Sequence, residues 1–448
     1  MSMQGAIAAG HPLTAAAGAA VLEAGGNAVD ACVAAAFMSW VTESMLTGPG
    51  GGGFMLVRSG SATVVFDAFV AVPRASAEVE LLALAVDFDG DTQQVFQTGP
   101  GAVGVPGTAL GLQAAHSRYG SLDWAALAAP AVAAARAGVE LTPAQGYLHR
   151  ILDGLLRHSP EGDAMYGGRV LVAGEKLVLG DLAATIERIA LEGAGVLYDG
   201  ELARAICAHV PLTADDLSGY RVVEREPVAV AYRGCEFRSN PPPSSGGRLI
   251  ALGLEALGDG FDVVHAMEVM EAARVPAAGG TTHISVVDAR GDAASLSCSL
   301  GSGSGVVAPG TGIHLNNMLG EADLMGSARP GERLTSMMAP SVVLDDGRTR
   351  LVIGSAGSER LRGAILQVVA NVIGRGMGVE EAVDAPRLHL ADGNVYVEPG
   401  IELARENVVH FGRRNLYFGG VSAVELRGDG TLAAAGDPRR GGAGMVVA

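Results

Sequence analysis

The sequence predicts an α+β fold in which β-sheets lie between layers of helices. Three observations support this prediction. Helical patterns dominate the first half of the chain, and alternating hairpin patterns dominate the last part. Between them, a strand begins at a threonine that directly follows Gly279 and Gly280. The chain shows no internal repeat and no charged linker, so we expect one globular unit.

The composition of the 448 residues suits a large buried core, since 49% are hydrophobic and only 18% are charged. The net charge of −17 argues against binding to nucleic acid or to an anionic membrane surface. The four cysteines are far apart and the ten histidines show no ligand spacing, so we expect neither disulfide nor metal, and no other cofactor. The N-terminus does not resemble a signal peptide, which predicts a cytoplasmic protein.

Helices are predicted in four places. The Ala-rich residues 11–24 end at a glycine pair, and Asn27 then caps a second helix that runs to about Trp40. Residues 120–215 are predicted to be mostly helical, and a further helix is expected over 359–373.

Strands are predicted wherever short apolar or alternating runs flank turn residues. They are expected at residues 54–57, 62–66, 282–287, 294–300, 341–345, 349–353, 395–399 and 421–426. Residues 290–292 spell Arg-Gly-Asp, which we interpret as a hairpin turn rather than as a recognition motif.

Seven short motifs follow one another along the chain. They occupy residues 25–31, 50–56, 241–247, 281–288, 315–317, 354–358 and 436–441. With these motifs the chain resembles the gamma-glutamyltranspeptidase family from end to end. The resemblance implies the four-layer αββα sandwich of the N-terminal nucleophile hydrolases.

Thr281 is the predicted nucleophile and the predicted point of self-cleavage. A threonine hydroxyl needs a base, and a free α-amino group with a pKa of about 7.7–8.0 can serve near neutral pH. Cleavage between Gly280 and Thr281 supplies that amine, and it divides the chain into a large fragment 1–280 and a small fragment 281–448. We expect the two fragments to stay associated as one unit, each the other's partner.

The resemblance also implies the catalytic neighbours of Thr281. Ser299 lies where the family has a second threonine that hydrogen-bonds the nucleophile, and a serine hydroxyl can do the same. Gly357 and Ser358 occupy the family's oxyanion position. Because a helix is predicted directly after them, their backbone N–H groups would face a developing negative charge.

Three further residues match substrate ligands of the family. Glu321 matches an acidic residue that holds the substrate ammonium group, and Thr335 and Ser336 match paired hydroxyls that hold its carboxylate. The expected substrate is therefore a small molecule.

The departures from the family pattern concern carboxylate recognition. Phe69 stands where the family has an arginine that clamps the substrate α-carboxylate, and Gly301 stands where it has an asparagine. Weak turnover of γ-glutamyl substrates is expected, and Phe69→Arg is expected to raise it. Arg74, Arg360 and Arg362 are the candidates to replace the missing arginine.

The sequence therefore predicts an autoprocessed hydrolase or acyltransferase that acts on a γ-glutamyl-like amide through an acyl-enzyme. Two alternatives remain open at this point. One is a divergent hydrolase of secondary metabolism that cleaves a different bond, including a carbon–carbon bond, for which a pocket lined by Phe69 would suit a less polar substrate. The other is a catalytically silent relative that keeps the fold as a binding or scaffold protein.

Overall fold

The computed structural model describes residues 5–74, 81–87, 93–274, 281–320 and 328–448. Its α-helices are α1 (Pro12–Glu23), α2 (Ala28–Thr42), α3 (Thr108–Tyr119), α4 (Trp124–Ala137), α5 (Pro143–Ile151), α6 (Asp153–Leu156), α7 (Pro160–Met165), α8 (Gly180–Glu192), α9 (Gly200–Cys207), α10 (Ala214–Ser218), α11 (Gly246–Leu257), α12 (Val263–Ala272), α13 (Leu361–Val369) and α14 (Val379–Asp384). No helix in this described part of the chain is both long enough and apolar enough to cross a membrane.

Two antiparallel sheets form the centre of the molecule. The first has seven strands, in the spatial order β22 (Ala443–Val447), β1 (Gly5–Ala9), β11 (Thr282–Asp288), β12 (Ala293–Ser299), β2 (Gly52–Ser59), β3 (Ala62–Ala68) and β8 (Val223–Arg225). The second has six, in the order β21 (Leu432–Gly436), β20 (Gly420–Leu426), β16 (Arg348–Ala356), β15 (Ser341–Asp345), β10 (Cys235–Ser239) and β9 (Val228–Tyr232).

Short strands make up the small peripheral sheets. They are β4 (Leu82–Asp87) with β5 (Gln93–Thr98), β6 (Val139–Glu140) with β7 (Lys176–Leu177), β13 (Val307–Ala308) with β14 (Ile313–His314), and β17 (Leu388–Ala391) with β18 (Asn394–Val397) and β19 (Val408–His410).

The two central sheets contact each other through β11 and β12 on one side and β16 and β20 on the other. Helices α1, α2 and α3 contact strands of the first sheet, and α11, α13 and α14 contact strands of the second. Each strand contributes side chains to both faces of its sheet, because successive side chains point to opposite faces. In β1, Ile7 and Ala9 join the apolar cluster that contains α1 and α2, whereas Ala6 and Ala8 join the cluster that contains the second sheet.

Most of the predicted elements are confirmed. Helix α1 ends one residue before its predicted end, and Asn27 caps α2 by accepting hydrogen bonds from the backbone N–H groups of Val29 and Asp30, both at 3.0 Å. The predicted hairpins are β2–β3, β11–β12 and β15–β16, and the Arg-Gly-Asp tripeptide lies in the turn of the second of these.

Several strands of the central sheets were not predicted. They are β1, β8 and β22 in the first sheet and β9, β10 and β21 in the second. The helix expected over residues 359–373 consists of a 3₁₀ turn at Ser358–Arg360, helix α13 and a π-turn at Ala370–Gly374. These three pieces follow one another without a gap, and the first begins next to Gly357 as expected.

Candidate active site

A pocket with about 640 Å³ of empty space, part of it open to solvent, lies where strands of both central sheets end. Thr281 lines it directly before β11, and Ala356 lines it at the end of β16. Its wall also contains Glu43 from the C-terminal end of α2 and Arg440 from near the C-terminus. The pocket is thus built from segments on both sides of the predicted cleavage point.

Thr281 is 1% exposed and stands at the first position before β11. The ladder between β11 and β12 pairs Thr282 with Cys298. One more step of this antiparallel register places Thr281 opposite Ser299, the residue predicted to assist it. Facing residues in such a ladder lie roughly 4.5–5.5 Å apart at Cα, so the two hydroxyls belong to one local site. Ser299 itself is buried, and its Oγ accepts a hydrogen bond from the backbone N–H of Gly301 at 2.7 Å.

The turn between β16 and α13 contains the two predicted oxyanion residues. Gly357 has φ 123° and Ser358 has φ 53°, so the chain passes through the left-handed region at both residues. A Cβ at Gly357 would lie 2.8 Å from the Cα of Gly419, which explains why glycine is required there. A serine in this conformation stores strain, as is common at functional sites. The turn begins directly after Ala356 on the pocket wall.

Glu43 is a functional candidate that the sequence analysis missed. It is 7% exposed, and its Oε1 accepts a hydrogen bond from Thr282 Oγ1 at 2.8 Å. Among the described residues, its Oε2 has no hydrogen-bond partner. Burial raises its pKa to about 7, against the opposing effects of the Thr282 hydroxyl and the Arg440 charge. Glu43 can therefore exchange a proton near neutral pH. It does so next to the predicted nucleophile, because its hydrogen-bond partner Thr282 directly follows Thr281.

Arg440 is the second candidate that was missed. It is half-buried at the end of a 3₁₀ turn, Pro438–Arg440. Burial lowers its pKa to about 10, so it stays positively charged at neutral pH. The local sequence does not distinguish either residue from ordinary surface charges. Glu43 is an acidic residue after an apolar helix, and Arg440 is one arginine of an Arg-Arg pair.

A neutral histidine lies behind the nucleophile. The ring of His283 is 1% exposed, with Nδ1 2.8 Å from Ser297 Oγ and Nε2 2.9 Å from Ser285 Oγ. Burial lowers its pKa to about 3, so it is uncharged at neutral pH. A Cβ at Gly354 would lie 2.2 Å from this ring. The ring therefore joins β11 to β12 by a hydrogen bond and packs against Gly354 of β16, without adding charge to the pocket.

The predicted substrate ligands lie away from this pocket, as far as the described residues define it. Thr335 donates its hydroxyl hydrogen bond to the carbonyl of Pro243 at 2.7 Å, and Ser336 is 2% exposed. Phe69 is fully buried, and its ring stacks on Phe54 with a centroid distance of 5.3 Å.

Two predicted positions, Gly280 and Glu321, lie outside the described residues. The three arginines considered as replacements are described, and none of them lines the pocket. Arg360 stacks over the ring of Tyr417 at 4.8 Å, Arg362 is paired with Glu271, and Arg74 is exposed.

Comparisons with known proteins agree with the motifs. The sequence profile described as gamma-glutamyltranspeptidase matches residues 14–275 and 265–447. The chain belongs to the gamma-glutamyltranspeptidase family. It is 32% identical to the acylase ACY 1 proenzyme of Pseudomonas sp. (strain SE83) and 31% identical to the glutathione hydrolase proenzyme of Pseudomonas aeruginosa, in both cases over 99% of this chain and 94% of the relative.

A solved structure similar to this member of the gamma-glutamyltranspeptidase family is cephalosporin acylase from Bacillus halodurans. The TM-score is 0.86 at 26% identity, over 99% of this chain and 96% of that one. These relatives identify the chain as a hydrolase or transferase of the N-terminal nucleophile type. Both named Pseudomonas relatives are described as proenzymes.

Proposed function

We propose that this chain is a self-cleaving amide hydrolase or acyltransferase with the four-layer αββα fold, in which Thr281 is first the cleavage point and then the nucleophile. The observation that carries the proposal is the position of Thr281. It is buried at the beginning of β11 on the pocket wall, and the register places Ser299 opposite it. The packing of helices on both central sheets supports the layering.

Maturation begins with attack of Thr281 Oγ1 on the carbonyl carbon of Gly280. The peptide bond to the Thr281 nitrogen breaks, and an ester joins the two residues while the nitrogen becomes a free amine. Water then hydrolyses this ester, so that fragment 1–280 gains a carboxylate and fragment 281–448 begins with a free α-amino group.

In the mature enzyme the α-amine accepts the proton of the Thr281 hydroxyl as Oγ1 attacks the acyl carbon of a substrate amide. The N–H groups of Gly357 and Ser358 stabilise the oxyanion at the turn into α13. Ser299 orients the attacking hydroxyl by a hydrogen bond. The departing amine takes the proton, and the acyl-enzyme is resolved by water in hydrolysis or by a second amine in transfer.

The expected substrate is an amide of a small carboxylated acyl group, similar to a γ-glutamyl amide. Glu321, Thr335 and Ser336 stay predictions as its ligands. We assign Phe69, which was also predicted to contact substrate, to packing, because its ring lies in the apolar cluster next to Phe54.

The proposal is tested by amide hydrolysis in three proteins: the natural chain, Thr281→Ala and Thr281→Ser. The alanine variant lacks a nucleophile and is expected to show no turnover of γ-glutamyl or acyl anilides. The serine variant keeps a hydroxyl but loses the methyl group that restricts its rotamer, so slow cleavage and slow turnover are expected. Equal turnover by the alanine variant would refute the role of Thr281.

A further inference from the structure

A second pocket lies beside the edge strand β8 of the first sheet, and it has no lining residue in common with the pocket of Thr281. It has about 750 Å³ of empty space, part of it open to solvent. The chain carries a net charge of −17, yet four arginines line this cavity: Arg74, Arg221, Arg225 and Arg333. We call it the arginine pocket, a positively charged place on an acidic chain.

Two of these arginines share one buried carboxylate at the arginine pocket. Asp67 is fully buried near the end of β3, where it accepts a hydrogen bond from Arg225 Nε at 2.8 Å and lies 3.3 Å from Arg333 Nε. Arg333 also donates to the carbonyl of Phe69 at 3.0 Å and lies over the ring of Tyr220, 4.3 Å from its centroid. These contacts hold both guanidinium groups in place, and one carboxylate neutralises only one of them.

The acid on the wall of the arginine pocket, Asp216, is satisfied by the chain itself. It accepts hydrogen bonds from the backbone N–H of Arg74 at 2.7 Å and from the N–H and hydroxyl of Thr213 at 3.0 and 2.7 Å. Arg221 donates to two backbone carbonyls beside the end of α10, both at 2.7 Å. The four arginines therefore face two carboxylates within the described part of the chain, which leaves two positive charges in excess.

Arg225 and Arg74 have donors available to a ligand. Arg225 uses its Nε on Asp67, and among the described residues its two Nη groups have no hydrogen-bond partner. The guanidinium of Arg74 lies beside Gly219, where a Cβ would be 3.2 Å from its Nη2. Its stem lies beside Gly331, where a Cβ would be 3.7 Å from its Cγ. Because both glycines line the cavity, the side chain of Arg74 lies along its wall.

The charge and the donors indicate which anion fits the arginine pocket. A guanidinium group binds phosphate oxygens through two parallel hydrogen bonds. A phosphate monoester carries about −1.5 to −2 charges at pH 7 and three acceptor oxygens, so it matches the excess of positive charge, whereas a single carboxylate neutralises about half of it. The wall also contains apolar side chains that suit a small organic group: Ala71, Val72, Val105 and Val223.

We propose that the arginine pocket binds the phosphate group of a small phosphate monoester. Arg74 and Arg225 donate hydrogen bonds to the phosphate oxygens, and Arg221 and Arg333 supply fixed positive charge beside them. The site goes beyond the proposed function, because it uses neither Thr281 nor any other residue of the pocket in which Thr281 lies.

Calorimetry at low ionic strength tests this site. The probes are glucose 6-phosphate as the monoester and inorganic phosphate as the bare anion, with glucose and glucuronate as controls that lack a phosphate group. We expect both phosphate probes to bind the natural protein and the Thr281→Ala chain equally. Glucuronate should bind weaker than glucose 6-phosphate by about tenfold or more, and glucose should not bind. Added salt should weaken the binding of phosphate, because it screens exposed charges.

Variants of the arginines assign the binding to this pocket. Arg74→Gln removes an exposed guanidinium, so it should leave the urea midpoint unchanged and weaken binding of glucose 6-phosphate by about tenfold or more. Arg225→Lys keeps a charge beside Asp67 but loses the planar pair of donors, and it should also weaken binding. Arg348→Gln makes the same change of charge on the exposed β15–β16 hairpin and should bind like the parent.

Four results would overturn the proposal: no saturable binding of glucose 6-phosphate, equal affinity for glucuronate, equal weakening by Arg74→Gln and Arg348→Gln, or loss of binding in Arg440→Gln but not in Arg74→Gln. The last result would assign the phosphate to the pocket of Thr281. Binding that depends on Arg74 in a natural protein that hydrolyses no amide would support the arginine pocket and refute the proposed function.

Discussion

Glu43 keeps its proton to a higher pH in the folded chain than in the unfolded chain, because burial raises its pKa from 4.5 to about 7. Between these values the folded state binds more protons, so this group makes the free energy of unfolding fall as the pH rises from about 4.5 to 7. Glu43→Gln removes the ionisable group while keeping the hydrogen bond to Thr282 possible. We expect its stability relative to the parent to improve by roughly 3 kcal/mol across this pH window.

Urea unfolding of Glu43→Gln and its parent, both in the Thr281→Ala background so that one chain unfolds, measures this difference at several pH values. The exposed Glu402→Gln serves as the control and should track the parent throughout. A stability difference between Glu43→Gln and the parent that does not change with pH would show that Glu43 titrates normally.

Phe69 illustrates how burial changes the expectation drawn from sequence. An arginine at this position would have to place its charge in the apolar cluster where Phe69 stacks on Phe54. We therefore expect Phe69→Arg to destabilise the chain by several kcal/mol rather than to raise γ-glutamyl turnover. Phe69→Leu keeps an apolar side chain and should cost less. Urea midpoints of both variants provide the comparison, and an arginine variant as stable as the natural chain with higher turnover would restore the original expectation.

At the scale of the element, the turn from β16 into α13 determines where the oxyanion N–H groups point. Gly357→Ala places a Cβ 2.8 Å from the Cα of Gly419 and strains a backbone with φ 123°. We expect kcat to fall by about a hundredfold or more, because one displaced oxyanion donor has an effect of that size.

Gly347→Ala is the matched control for this variant. Gly347 also has a positive φ, 73°, but it lies in the β15–β16 hairpin and a Cβ there would contact nothing within 4 Å. It should lose about 1 kcal/mol of stability and keep its kcat. Equal losses of kcat in the two variants would mean that the effect of Gly357 is general backbone strain.

Local patterns predicted helices α1 and α2 and the hairpins β2–β3, β11–β12 and β15–β16, and a missed element such as β1 has a physical cause. The capping residue Asn27 and the alternation in β11 act over a few residues, so the sequence displays them directly. Strand β1 is built from small residues, and its partners lie at 443–447 and 282–288, far away in the chain. Nothing in the local pattern reveals such pairing.

The residues of the candidate site also divide into those that local sequence indicates and those that only the folded structure reveals. Thr281 and Gly357 belong to short motifs that carry their own backbone requirements, so the sequence indicates them. Glu43 and Arg440 become candidates only when segments about four hundred residues apart line one pocket and, within the described part of the chain, leave Glu43 Oε2 and Arg440 Nε without hydrogen-bond partners. Burial of Phe69 is likewise a tertiary property.

At the scale of the whole molecule, the sheets bind the two proposed fragments together. In the first sheet β1 lies between β22 and β11, and β12 pairs with β2, so strands from before and after Thr281 pair with each other at three places. In the second sheet β10 pairs with β15. Cleavage before Thr281 breaks none of these ladders. We expect the fragments to elute as one particle under native conditions and to separate only in denaturant.

The most direct test of the account is the intact mass of the purified protein under denaturing conditions. The natural chain should give two species that correspond to residues 1–280 and 281–448, and Thr281→Ala should give one species of 45.3 kDa. N-terminal sequencing of the small fragment should begin at Thr281. A natural protein that is fully active as a single uncut chain, or a Thr281→Ala chain that is cut at the same bond, would contradict the central claim.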